Sequence, residues 1–153
     1  MIVAVQPSQI SGTVQASASK SAMQRACAAA LIRKGKTILS NAGGSGDDKA
    51  ALNVIQQLGA KVSVDGLQVT VDSEGVHAVS SVLHCGESGL GARMFTTIAA
   101  LSDKEITITG EGSLLDRPMD FFDEVLPRLG VQLVSNKGKL PLKINGPLQP
   151  RNI

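Results

Sequence analysis

The sequence predicts an α/β fold built from two copies of one helix–strand–helix–strand–strand unit. Helical spacing and strand-like alternation of apolar residues follow each other in the same order twice along the 153-residue chain. An arginine before an apolar helix occurs as Arg25 and again, about 70 residues later, as Arg93. The pairs Leu58-Gly59 and Leu129-Gly130 each end a helix, because glycine is the usual helix stop.

The first copy is predicted from apolar spacing together with turn residues. Asp65-Gly66 joins two alternating runs, which is a strong signal for a β-hairpin. The predicted elements are a strand at 2–6, a helix at about 21–33, a strand at 36–42, a helix at about 47–58, and strands at 60–66 and 67–73.

The second copy begins at a glycine-rich stretch. Its later helix is expected to have Pro118 at the first helical position, where a missing N–H costs nothing. The predicted elements are a helix from 88–91 to 101, a strand at 105–110, a helix at 118–129, and strands at 131–138 and 140–146.

The first helix of each copy is expected to be buried. Residues 26–32 offer no polar face, and residues 95–101 are interrupted only by two threonines. The second helix of the first copy carries polar residues that are expected to face solvent: Asp48, Lys49, Asn53, Gln56 and Gln57. The pattern therefore indicates helices covered by sheet.

Composition excludes several classes of protein. The net charge is only +2, and the chain has no Trp, no Tyr and three Phe, so nucleic-acid binding is not expected. The two cysteines have no metal-ligand spacing to the two histidines, so neither a metal nor another cofactor is predicted. No secretory leader is visible, and the longest apolar run, 26–32, is too short to cross a membrane. A cytoplasmic protein with reduced thiols is expected.

Cationic residues recur at three predicted helix starts. Lys20, Ser21 and Arg25 open the first helix, whose unpaired N–H groups already favour an anion. Gly86, Gly89 and Gly91 precede Arg93, and Arg117 precedes Pro118. Each arginine alone also fits a salt-bridged surface residue, and the acidic pair Asp47-Asp48 fits a helix N-cap. The recurrence favours a site for a small substrate with more than one anionic group.

Three of these segments resemble successive motifs of one enzyme family. They are "SASKSAMQRACAAALIRKGKTILSNAGGSGDD", "CGESGLGARMFTTIAAL" and "GEGSLLDRPMDFFDEVLPRLGVQL", and "LPLKINGPL" resembles the strand that follows. The family is that of the EPSP synthases, the 3-phosphoshikimate 1-carboxyvinyltransferases. The resemblance implies an enolpyruvyl transferase-like, inside-out fold of six βαβαββ units with buried helices, of which two are present. It further implies that residues 1–10 form a strand of the family's other domain, 11–75 the first unit and 76–153 the second.

The resemblance also implies a function. The family transfers the enolpyruvyl group of phosphoenolpyruvate to the 5-hydroxyl of shikimate-3-phosphate and releases phosphate, without a metal or organic cofactor. Lys20, Ser21 and Arg25 match residues that bind shikimate-3-phosphate. Lys20, Gly89 and Arg117 match residues that bind phosphoenolpyruvate, and Arg93 matches a frequent arginine of the glycine-rich motif, where it has a supporting role.

The resemblance assigns no catalytic residue to this chain. In the family the proton-transfer groups lie mainly in the domain that is missing here. The partner expected besides the two substrates is therefore the remainder of the same polypeptide, and the chain alone is expected to be inactive.

Two alternatives remain open at the level of sequence. A UDP-N-acetylglucosamine enolpyruvyl transferase would have Lys-Asn at 20–21 and a cysteine in the loop at 110–116, and this chain has neither. A non-catalytic anion-binding fragment is the other. Glu87 departs from the family's asparagine and brings negative charge close to the predicted anion site.

Overall fold

The computed structural model describes residues 2–150. Over that range it contains four α-helices, one 3₁₀ helix and seven strands. In chain order they are α1 (Lys20–Ile32), β1 (Gly35–Leu39), α2 (Gly46–Gln57), β2 (Lys61–Asp65), β3 (Gln68–Ser73), β4 (Val82–His84), α3 (Gly89–Ala99), β5 (Glu105–Thr109), the 3₁₀ helix (Gly112–Asp116), α4 (Phe121–Arg128), β6 (Gln132–Ser135) and β7 (Leu142–Asn145).

The first sheet has the order β1-β3-β2, and both pairings are antiparallel. The β2–β3 hairpin closes with Asp65 opposite Gln68, and Gly66 in its turn has a φ of 56°. Glycine adopts this left-handed conformation at no steric cost. The hairpin predicted from Asp65-Gly66 is confirmed.

The second sheet repeats this arrangement and adds a strand. Its order is β4-β5-β7-β6, so β5, β7 and β6 take the places of β1, β3 and β2. The pairings of β7 are antiparallel, whereas β4 pairs with β5 in parallel. The repeat predicted from the sequence is therefore present in the strand order, and β4, which is three residues long, was not predicted.

Helices α1 and α3 contribute many of the buried residues of the core. In α3 the side chains of Phe95, Ala92 and Ala99 are at most 1% exposed. In α1 Cys27 and Leu31 are fully buried, but Ala29 is exposed and Ile32 is 53% exposed. One face of α1 is therefore uncovered within residues 2–150. The sequence predicted full burial, because residues 26–32 are apolar on all sides.

Serine residues cap the first three helices. The Ser19 hydroxyl accepts from the Ala22 N–H, and Ser88 accepts from the Gly91 N–H. Ser45 and Asp48 form a reciprocal capping box at the start of α2. The prediction that Asp48 faces solvent is wrong, because both halves of the box turn this carboxylate inward and leave the residue 1% exposed.

Both predicted helix stops are confirmed, but one predicted helix start is wrong. Gly59 and Gly130, with φ of 105° and 81°, follow the last residues of α2 and α4. Helix α4 begins at Phe121 rather than at Pro118. The chain leaves the 3₁₀ helix in extended conformation at Arg117, as is usual for a residue before proline, and needs several residues to turn back into a helix.

The strand predicted at 2–6 is not formed within the described chain. Ile2 and Val5 are 101% and 87% exposed, and these residues have no ladder partner among those described. A short run rich in β-branched residues favours a strand, but a strand also needs a neighbour to accept and donate its backbone hydrogen bonds. Among residues 2–150, no helix has the length and apolar character needed to cross a membrane.

Candidate functional site

A cavity of about 540 Å³ lies where helices α1, α2 and α3 begin, and is called the cleft below. The polar groups around it come from both copies of the repeated unit. Its lining residues are Lys20, Ser21 and Gln24 from α1, Gly46 and Asp47 from α2, residues 86–90 before and within α3, and Glu111 and Arg117 on either side of the 3₁₀ helix.

Lys20 is the first residue of α1 and points along the cleft wall. Its Nζ lies 3.0 Å from Oδ2 of Asp47, and the two side chains are 60% and 20% exposed. An ion pair of this exposure contributes on the order of 1 kcal/mol or less to stability. The ammonium is therefore held in place and can still exchange part of this contact for an anionic ligand.

Gly89 begins α3 and gives the cleft a stretch of bare backbone. A Cβ atom built at this position would lie 2.5 Å from Nη1 of Arg117 and 3.0 Å from Nη1 of Arg93. The guanidinium of Arg117 also donates to Oγ of Ser113 at 3.2 Å. A side chain here would therefore force the guanidinium of Arg117 to move from its present position.

Two of the predicted site residues lie beside the cleft and do not line it. Arg25 is exposed on α1 and donates to the carbonyl oxygen of Ser21 at 3.3 Å. Arg93 donates to the carbonyl oxygens of Gly89 at 3.2 Å and Pro118 at 3.0 Å. Arg93 thus joins the start of α3 to the segment that follows Arg117.

The structure therefore brings together four of the six predicted residues around one cavity: Lys20, Ser21, Gly89 and Arg117. It also shows lining residues that the sequence did not single out. Gln24 lies one helical turn after Lys20, and Ser88 is the N-cap of α3. The spacing of Gln24 from Lys20 was the available signal, since residues four apart on a helix are neighbours.

The cleft also contains acidic groups. Asp47, Glu87 and Glu111 line it together with the two cations Lys20 and Arg117. The carboxylate of Glu87 lies over Gly112, where a Cβ atom would be 2.5 Å from its Cδ. The lining carries three formal negative and two positive charges, so the charged side chains that line the cleft do not by themselves neutralise a ligand with several anionic groups.

The cysteines and histidines form no reactive centre within the described part of the chain. Burial and then the nearby Asp48 carboxylate raise the pKa of the Cys27 thiol to about 12. Burial raises the pKa of Cys85 to about 12. Both remain protonated near neutral pH and are poor nucleophiles. No group of three or more His, Cys, Asp or Glu residues in this range is placed to hold a metal ion.

The fold is that of the enolpyruvyl transferases. The enolpyruvyl transferase NikO from Streptomyces tendae matches it with a TM-score of 0.53 over 87% of this chain and 31% of that chain, at 14% sequence identity. The 2.37 Å structure of EPSP synthase from Acinetobacter baumannii matches it with a TM-score of 0.77 and 27% identity, over 88% of this chain and 32% of the other.

The family model of EPSP synthase (3-phosphoshikimate 1-carboxyvinyltransferase) matches residues 5–153, and this chain belongs to that family. The 3-phosphoshikimate 1-carboxyvinyltransferase of Methanocorpusculum labreanum is 34% identical over 151 residues, which are 97% of this chain and 36% of that protein. The enzyme of the same name from Methanobrevibacter smithii is 36% identical over 142 residues, covering 90% and 32%. The chain thus spans about a third of the length of these relatives, and the alternative of a UDP-N-acetylglucosamine enolpyruvyl transferase is not favoured.

Proposed function

We propose that this chain is the N-terminal part of a 3-phosphoshikimate 1-carboxyvinyltransferase and forms one wall of its substrate site. The observation that carries the proposal is the meeting of Lys20, Ser21, Gly89 and Arg117 around one cavity of about 540 Å³. Two cations, three helix starts and bare glycine backbone together suit a ligand with phosphate and carboxylate groups. The family membership supports this choice over a general anion site.

In this proposal the ligands divide along the cleft. Phosphoenolpyruvate binds at Lys20, Gly89 and Arg117, where the backbone of the buried Gly89 lies directly beside the guanidinium. Shikimate-3-phosphate binds at Lys20, Ser21 and Arg25, extending over the outer face of α1. Arg25 lies outside the cleft, one helical turn after Ser21, and donates to the Ser21 carbonyl oxygen. Arg93 supports the start of α3 and is not assigned a ligand contact.

The proposed reaction begins with addition of the 5-hydroxyl oxygen of shikimate-3-phosphate to C2 of phosphoenolpyruvate, while C3 takes a proton. The resulting tetrahedral ketal phosphate then loses inorganic phosphate, and loss of a proton from C3 leaves the enolpyruvyl ether. Lys20 and Arg117 stabilise the anionic groups and hold the reactants together. No acid or base is assigned in this chain. We propose that the rest of the polypeptide supplies them, together with further cations.

Three properties of the whole protein belong to the same proposal. Residues 1–10 pair with a domain outside this chain, which the exposure of Ile2 and Val5 supports. Residues 11–75 and 76–153 then form the two repeated units. The protein is cytoplasmic, which the two free cysteines support because structural disulfides are rare in that compartment.

Ligand titration tests the binding assignment. Shikimate-3-phosphate, phosphoenolpyruvate and inorganic sulfate are titrated into the chain and into Lys20→Met, and Lys49→Met serves as the matched control because Lys49 is exposed on α2. Binding of the two organic anions should be lost in Lys20→Met and retained in Lys49→Met. Equal affinity for sulfate would instead identify a non-catalytic anion site.

Phosphate release tests the division of labour within the polypeptide. The purified chain with both substrates should release no phosphate, because preorganisation of two reactants supplies roughly 7–11 kcal/mol of barrier lowering that one wall of the site does not provide. Phosphate release should be restored when a polypeptide is added that corresponds to the remaining two thirds of one of the relatives named above. Robust release by this chain alone would contradict the proposal.

A further inference from the structure

Two buried polar side chains connect α1 with the start of α3. Gln24 is 1% exposed and Ser88 is 2% exposed. The Ser88 hydroxyl donates to Oε1 of Gln24 at 2.8 Å and accepts from the Gly91 N–H at 3.0 Å. Among the hydrogen bonds described for residues 2–150, the Ser88–Gln24 bond is the one that directly joins these two helices.

The same glutamine reaches the ion pair of the cleft with its other end. Its Nε2 donates to Oδ2 of Asp47 at 3.5 Å, and that oxygen lies 3.0 Å from Nζ of Lys20. A carboxylate can only accept, so the NH₂ end of the Gln24 amide faces Asp47 and its oxygen faces the Ser88 hydroxyl, which donates. The amide of Gln24 therefore has one favourable orientation, and the hydrogen bonds run in one direction from Gly91 through Ser88 and Gln24 to Asp47.

This chain of hydrogen bonds spans the two walls of the cleft. Lys20 stands at one end, and Ser88 immediately precedes Gly89 at the other. A buried amide is a costly way to stabilise a helix interface, since replacement of both partners by apolar groups of the same shape is often neutral. A polar connection between buried groups does, however, specify their relative position when every partner is satisfied.

We propose that Gln24 is a positioning residue, which acts through Asp47 and Ser88 to hold the ammonium of Lys20 at a fixed distance from the start of α3. The role of that distance in phosphoenolpyruvate binding rests on the proposed function. The position of Lys20 itself does not, because it is a property of the free protein. Gln24 makes no ligand contact in this proposal.

The substitution Gln24→Met tests this role. It keeps the length and helix propensity of the side chain and removes both hydrogen bonds. Lys20 and Asp47 themselves are not substituted. Gln57→Met is the matched control, because Gln57 is a part-buried glutamine at the end of α2 and does not line the cleft. Thermal melts show whether each variant is folded.

The first measurement is the ¹H–¹⁵N signal of the Lys20 ammonium group, assigned with Lys20→Arg. In Gln24→Met it should move at least halfway towards its position in Asp47→Asn, whereas Gln57→Met should leave it unchanged. The second measurement is phosphoenolpyruvate affinity, which should fall about fivefold in Gln24→Met, the scale of one lost hydrogen bond. A lower melting temperature with an unmoved Lys20 signal would overturn the proposal.

A second variant covers the possibility that Gln24→Met does not fold. Gln24→Glu keeps the shape of the side chain and an oxygen that accepts from Ser88. The NH₂ group that donates to Asp47 is lost, because an ionised glutamate can only accept hydrogen bonds. It should also move the Lys20 signal, and no movement would overturn the proposal.

The two proposals can fail independently. If the unmodified chain does not bind phosphoenolpyruvate while the signal still moves, the proposed function fails and the positioning role stands. If the unmodified chain binds phosphoenolpyruvate and the signal does not move, the positioning role fails and the proposed function stands.

Discussion

The two repeated units share their strand order and differ in what surrounds their first helices. In the second unit β4 pairs with β5, whereas the outer edge of β1, the equivalent of β5, has no partner within residues 2–150. Phe95 of α3 is fully buried, whereas Ile32 of α1 is 53% exposed. The strand ladder thus follows from the repeated pattern of each unit, while the burial of its helices depends on which neighbours are present.

The two units also share a side-chain arrangement at the helix starts. Arg25 donates to the Ser21 carbonyl at 3.3 Å, and Arg93 donates to the Gly89 carbonyl at 3.2 Å, in each case across one helical turn. The difference lies in the residue that accepts. Serine in the first unit retains a hydroxyl beside Lys20, and glycine in the second makes room for Arg117. Ser21 and Gly89 thus occupy equivalent positions in the two units and form different parts of the cleft.

The largest expected effect concerns helix burial. Phe95→Ala removes a fully buried ring from α3 and should lower the free energy of unfolding by about 3–5 kcal/mol. Ile32→Ala, on the uncovered face of α1, should change it by less than about 1 kcal/mol. Denaturant unfolding of the two variants measures the difference. Similar losses in both would show that α1 is covered in solution.

The next effect separates the two helix starts. Gly89→Ala places a Cβ 2.5 Å from Nη1 of Arg117, so the guanidinium must leave its position. Phosphoenolpyruvate affinity should fall about tenfold, equivalent to about 1.4 kcal/mol. Ser21→Ala, at the equivalent position of α1, should weaken shikimate-3-phosphate binding and leave phosphoenolpyruvate binding nearly unchanged. Calorimetric titration of each variant with each ligand measures these affinities. If each variant lost the same affinity for both ligands, the two helix starts would not serve different ligands.

The smallest effect concerns the two buried thiols, Cys27 in the first unit and Cys85 in the second. Their pKa is raised from 9.0 to about 12 in the folded chain, so the unfolded chain loses these protons first as the pH rises. Their contribution to stability is fully present below pH 9 and is lost progressively between pH 9 and about 12. Urea midpoints measured across this range should fall with pH, and the fall should be shallower in Cys27→Ala than in the unmodified chain. A slope unchanged by the substitution would contradict this expectation.

Most of the fold followed from local signals. Glycine stops, the Asp65-Gly66 turn and helical spacing placed α1, α2, α3 and the first hairpin, because these signals depend on a few adjacent residues. The strand expected at 2–6 did not form within residues 2–150, since a strand depends on a pairing partner and not on β-branched residues alone. Strand β4 escaped prediction because three residues are too few to show a period.

The site was predictable where charge and glycine coincide with helix starts. Lys20, Ser21, Gly89 and Arg117 carried that signal and line one cleft. Gln24 carried only its four-residue spacing from Lys20, and an amide on a helix gives no indication of the buried group that it will contact. Its role emerges only when α3 brings Ser88 within 2.8 Å, a contact between residues 64 positions apart in the chain.

The segment before α1 has a practical consequence for handling the protein. Ile2, Val3 and Val5 belong to an apolar run at residues 2–5 and are 101%, 69% and 87% exposed. Such an unpaired, apolar segment is a template for edge-to-edge association with another molecule, and a net charge of +2 offers little colloidal repulsion against it. We therefore expect concentration-dependent aggregation that begins at this segment. A lysine in place of Val3 should raise the solubility limit without altering the cleft.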